Sequence, residues 1–152
     1  MTTAALPAHD ERRLTWAAFA FPLAMAVALS PWNDYFLGNA LYYAVPSLVI
    51  VGLGWRLSRS GALALGCALA LALYLGLYKA WVLWLPPDGL VWLGYFFSLP
   101  GAALGAVVAA LLARRQGARG VFRLIALGAI ATSVGAAVNQ VALCSTLMHC
   151  PL

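Results

Sequence analysis

Residues 62–85 read ALALGCALALALYLGLYKAWVLWL, and Lys79 is the one charged side chain among them. At about 1.5 Å of rise per residue, a helix of this length covers the ~30 Å hydrocarbon core of a bilayer. The apolar residues run continuously and do not alternate, so the stretch does not read as a barrel strand. In lipid only a helix or a closed barrel satisfies its own backbone groups, and a helix is therefore the reading.

Working outward from this stretch, four further apolar runs of similar length appear, at 14–32, 40–57, 90–113 and 121–147. The sequence thus predicts an all-α bundle of five transmembrane helices with short loops, preceded by a polar segment over 1–13. Pro22, Pro46 and Pro100 fall inside three of the runs. They are expected as kinks, which membrane helices tolerate. The first run has basic residues before it and a small-x-small step at Ala26-Val27-Ala28, the features of a signal peptide. It continues apolar to Trp32, and we expect an uncleaved helix.

Composition agrees with the runs. The chain is 64% hydrophobic and 9% charged, against about 45–50% and about 25% in a soluble domain. A net charge of +5 would raise the question of nucleic acid in a soluble protein. Here the placement of the charges answers it, and no nucleic-acid partner is expected. Arg12 and Arg13 precede the first run, Arg56 and Arg59 lie between the second and third, and Arg114, Arg115, Arg119 and Arg123 lie between the fourth and fifth. A five-helix chain puts all of them on one side. The positive-inside rule then predicts a multi-pass protein of a bacterial-type inner membrane, N-terminus cytoplasmic and C-terminus outside. The loop at 114–120 suits anionic lipid headgroups on the cytoplasmic face. Trp32, Tyr35, Tyr42, Tyr43, Tyr78, Trp81, Trp84, Trp92 and Tyr95 gather toward the opposite interface, with Trp16 and Trp55 toward the arginines. An aromatic belt accounts for rings at headgroup level. The excess on one side also allows a docking surface or a ring-lined pocket.

Two stripes of small residues stand out. Gly94, Ser98, Gly101 and Gly105 share one face of the fourth run, and Gly128, Thr132 and Gly135, with Asn139, share one face of the fifth. Such stripes let helix backbones approach closely, within the chain or across an oligomer or partner seam.

The candidate contact residues for a ligand are few. Lys79 is expected to snorkel to the interface or to meet an anion. Asn139 and Gln140 need hydrogen-bonding partners inside the membrane. Asp34, with Tyr74 and Tyr78, completes a set that could line one outward-facing site. Asp88 sits in a Pro-Pro-Asp-Gly turn and reads as structural. The tail holds Cys144, His149 and Cys150. Cys144 and Cys150 are disulfide candidates in an oxidising compartment. With His149 they also form a candidate site for copper or zinc. Cys67 reads as a small apolar core residue, and His9 as a solvated terminal one.

No phosphate loop, dinucleotide fingerprint, zinc-protease motif or nucleophile elbow is present. Three functions remain open. The first is a non-enzymatic accessory, assembly or regulatory subunit bound to a membrane partner or to its own copies. The second is a small oligomeric transporter or channel. The third is a membrane enzyme or a metal or thiol redox protein using the tail.

Overall fold

The computed structural model describes residues 8–84, 91–115 and 120–146. It has five helices in chain order: α1 (Ala8–Leu29), α2 (Phe36–Ser58), α3 (Gly61–Val82), α4 (Val91–Arg115) and α5 (Val121–Thr146). No strand occurs among the described residues. All five helices are long and apolar enough to cross a membrane, so the chain is a multi-pass helical membrane protein. The described arginines lie at one end of the bundle and most of the aromatic residues toward the other. These are called the arginine end and the aromatic end below.

Helix boundaries depart from the apolar runs where polar residues are good helix formers or caps. α1 starts at Ala8, taking in the polar residues before Leu14. Asp10 and Glu11 in its first turn complement the positive end of the helix dipole. α2 starts at Phe36, because Asn33 ends the preceding turn there. Its side-chain oxygen accepts the Tyr35 N–H at 3.0 Å and its carbonyl accepts the Phe36 N–H at 2.9 Å. α2 ends on Arg59, which takes a left-handed conformation (φ 58°) and donates its N–H to the Trp55 carbonyl.

Only Ser60 separates Arg59 from the start of α3, and two of the first donors of α3 are met by side chains. The Ser60 hydroxyl accepts the Leu63 N–H, and the Glu11 carboxylate, arriving from α1, accepts the Gly61 N–H. A charged acceptor from a neighbouring helix thus caps α3 and ties α1 to it.

α3 is the most buried helix and the hub, packing against all four others. α5 lies along α3 and α4, and α1 lies along α2 and α3. Residue size, more than polarity, separates the inside from the outside. Fourteen of the 24 buried apolar side chains among the described residues are alanine. Leu37, Leu41, Val45, Val49 and Leu53 form an exposed stripe at four-residue spacing on α2, and Leu69, Leu73 and Leu77 do the same on α3. Large aliphatic side chains face lipid at no cost, while small ones let the backbones close up.

Glycines mark the closest approaches. A Cβ on Gly66 would fall on the Ile125 carbonyl, and one on Gly128 would fall on the Leu63 carbonyl, which locks α3 to α5. A Cβ on Gly105 would strike the Ala131 carbonyl, and Gly101 and Gly135 meet backbone to backbone, which locks α4 to α5. Cys67 is buried at the α3–α5 contact, its sulfur 3.9 Å from the Gly128 carbonyl.

Candidate functional site

Five of the six tyrosines of the chain come together toward the aromatic end. Tyr42 and Tyr43 are neighbours on α2, Tyr74 and Tyr78 are one turn apart on α3, and Tyr95 comes from the first turns of α4. Tyr95 is the centre, with no exposed surface. Its ring stacks on Tyr74 at 5.6 Å (16° between planes), meets Tyr43 edge-on at 5.8 Å, and lies 5.6 Å from Tyr78 and 6.5 Å from Tyr42. Phe96 stacks on Tyr42 at 5.9 Å and Trp81 meets Tyr78 at 5.7 Å. Offset and edge-on pairs in this distance range are favourable aromatic geometries. The cluster therefore joins α2, α3 and α4 where glycines do not.

Lys79 belongs to this cluster. Its Nζ lies 4.6 Å from the centroid of the Tyr43 ring, a cation–π contact. Two serines at the same level are buried and donate to their own helices: Ser47 to the Tyr43 carbonyl at 2.9 Å, and Ser98 to the Tyr95 carbonyl at 2.6 Å. The Tyr95 hydroxyl is buried within reach of Ser47.

Of the expected ligand contacts, Tyr74, Tyr78 and Lys79 are brought together here. Asp34 is exposed in the α1–α2 corner. Asn139 is half-buried on α5 and donates its amide to the Phe97 carbonyl of α4. Gln140 donates to the Cys144 sulfur at 3.6 Å, and its carbonyl oxygen is buried without a partner. The six residues therefore divide among three places. Tyr74 reaches furthest, since it also lines a shallow groove between α3 and α5 with Thr132 and Ala136.

The stripe on α4 also divides. Gly101 and Gly105 face α5, whereas Gly94 approaches the Tyr78 hydroxyl and Ser98 is buried on the cluster's own helix. On α5, Gly128 faces α3, Gly135 faces α4, and Thr132 is buried between them. Both stripes are thus occupied within one chain.

Tyr43 and Tyr95 were legible in the sequence as belt residues but not as the centre of a cluster. The available signal was Tyr74-x-x-x-Tyr78 inside a membrane span, a spacing that puts two rings on one helix face. Glu11 carried no signal as a cap, because its partner is 50 residues away in sequence.

No group of three or more His, Cys, Asp or Glu side chains suited to a metal occurs among the described residues. His149, Cys150 and Asp88 lie outside the described residues, and with them the expected tail disulfide and the copper or zinc site. The chain matches no protein-family model, no curated protein and no solved structure.

Proposed function

We propose that this chain is a non-enzymatic accessory, assembly or regulatory subunit of the inner membrane that holds a membrane-protein partner through its aromatic end. The tyrosine cluster carries this reading. Five rings and Lys79 are spent in closing the bundle between α2, α3 and α4, and the rim beside them is left open. Trp32, Tyr35 and Trp84 on that rim are all more than three-quarters exposed. Aromatic side chains are the commonest anchors of protein interfaces.

A conduit asks for polar groups along its axis. The buried polar side chains among the described residues are Ser30, Ser47, Ser98 and Thr132. The three serines bond back to their own helices. Toward the arginine end the buried residues include Ala18, Leu63, Ala64, Cys67, Ala106 and Ala109, none of them a polar group that could line a conduit. The one-sided arginines support a cytoplasmic N-terminus and an outward-facing aromatic end. Disulfides persist in that compartment, and the reading includes a Cys144–Cys150 pair.

The test is purification from native membranes in mild detergent, followed by native mass spectrometry. The wild-type chain carries a membrane protein at fixed stoichiometry, and a Trp32→Ala/Trp84→Ala chain loses it while staying folded. A wild-type chain that runs alone, or a partner that survives both substitutions, overturns the reading.

One observation favours a second function, a small oligomeric transporter with an outward-facing site. Lys79 is held over Tyr43 in the ring cluster. Under that reading Lys79→Ala abolishes uptake without loss of protein, and unchanged uptake removes it.

A further inference from the structure

Three helices contain an internal proline: Pro22 in α1, Pro46 in α2 and Pro100 in α4. Each lacks the N–H that would serve the carbonyl four residues earlier. At Pro100 that carbonyl belongs to Phe96, and the flanking carbonyls take side-chain donors. Ser98 donates to the Tyr95 carbonyl three residues back, a local bond that bends helices. Asn139 donates to the Phe97 carbonyl from α5, a different helix. The residue after the proline is Gly101, which has no side chain to stiffen the joint. Proline, a back-bonding serine and a glycine thus fall within four residues.

The two halves of α4 are anchored to different neighbours. Before the proline, Tyr95 is embedded among tyrosines of α2 and α3. After it, Gly101 and Gly105 meet the α5 backbone. An apolar groove of about 410 Å³ runs between α4 and α5, lined by Gly101, Gly105, Val134, Val138 and Asn139 among others.

We propose that residues Ser98 to Gly101 form a hinge in α4 and that the Asn139 side chain is its latch. With the latch released, the aromatic-end half of α4 swings and carries Tyr95 against the rings of α2 and α3, and the glycine-locked half stays on α5. The groove between α4 and α5 opens at its Asn139 end. This inference is independent of the partner reading above, because it concerns a motion within one chain.

The test uses the full chain in lipid nanodiscs with 3-fluorotyrosine in place of tyrosine. The six tyrosines give six ¹⁹F signals, assigned by single Tyr→Phe replacements. In the wild-type chain each tyrosine gives one signal. In Asn139→Ala a second set appears for Tyr43, Tyr74, Tyr78 and Tyr95, while Tyr35, at the α1–α2 corner, stays single. Adding Pro100→Ala restores the missing N–H and returns the cluster to one set. Single cluster signals in Asn139→Ala overturn the hinge, as does doubling that survives Pro100→Ala. Should Asn139→Ala not yield folded protein, Pro100→Ala alone decides. Wild-type cluster signals broaden on warming and those of Pro100→Ala do not, and identical temperature dependence in the two chains overturns the proposal.

Discussion

The half of the bundle near the arginines and the half near the aromatic residues solve the same problem with opposite materials. Near the arginines and through the middle, Gly66, Gly105 and Gly128 bring backbones into contact, and alanines fill what space remains. Toward the aromatic end, five tyrosines and Phe96 span a wider gap between α2, α3 and α4. The difference teaches how a small membrane protein coheres without a hydrophobic driving force between its helices. Lipid is as apolar as leucine, so association rests on close packing and on directional contacts. Glycine provides the first by removing the side chain, and tyrosine the second through ring geometry. Many leucines and valines are left on the lipid-facing surface.

The sharpest break of this comparison is an enlargement on the glycine side. Gly105→Leu would drive a side chain into the Ala131 carbonyl, and backbone cannot step aside as a flexible side chain can. The expected outcome is separation of α5 from α4, with stability reduced by about 3 kcal/mol or more. Reversible unfolding in detergent, followed by circular dichroism and by protease sensitivity, reads it. A Gly105→Leu chain as stable as wild type would mean that the glycine seam is not needed.

Truncation on the aromatic side comes next. Tyr95→Ala leaves a hole at the centre of the cluster and costs about 3 kcal/mol by the same unfolding measurement. Tyr95→Phe sharpens the point. The hydroxyl's neighbour is the Ser47 hydroxyl, and a single neutral hydrogen bond of this kind is worth about 1 kcal/mol, so its removal costs no more than that. If the two replacements cost the same, the cluster is held by the hydroxyl and not by the rings.

A smaller effect is expected at the seam between α1 and α3. Glu11→Ala removes the carboxylate that accepts the Gly61 N–H. Ser60 still caps the helix, so the loss is about 1 kcal/mol, and Glu11→Gln, which keeps an acceptor, recovers part of it. Amide exchange at the first turn of α3 localises the change. Exchange that stays as slow in Glu11→Ala as in wild type would show that Ser60 suffices.

Much of the architecture was readable in the residues themselves. Run lengths near twenty residues decide helix number, because the hydrocarbon thickness is set by the lipid and not by the protein. The arginines fall on one side of five spans and on both sides of four or six, so their positions check the count. The start of α1 was less legible, since His9–Arg13 is polar and yet helical. Polarity ends an apolar run but does not end a helix.

The faces of the helices were half legible. Hydrophobic periodicity normally says which side points inward, but here both sides are apolar and the pattern is weak. Residue size provided the signal instead, as the glycine stripes of α4 and α5 show. The α4 stripe nevertheless continues in sequence through Gly94 and Ser98, which turn toward the tyrosine cluster beyond Pro100. No rule of spacing announces that division. The ligand set was less legible still. Lys79, Tyr74 and Tyr78 share one helix and came together. Asp34, Asn139 and Gln140 lie on other elements and went elsewhere.

The sequence by itself determined that the chain lives in a membrane, how many times it crosses, which ends share a side and which residues are small enough to sit at helix contacts. These properties depend on length, charge and size, which are local. Tertiary structure alone decided that Tyr95 is a centre and not a belt residue, that Glu11 caps a helix on the far side of α2, and that Asn139 reaches the carbonyl beside Pro100. Each of those depends on which helix lies beside which, and in lipid that choice is made by shape complementarity between distant segments, which no single stretch of the chain encodes.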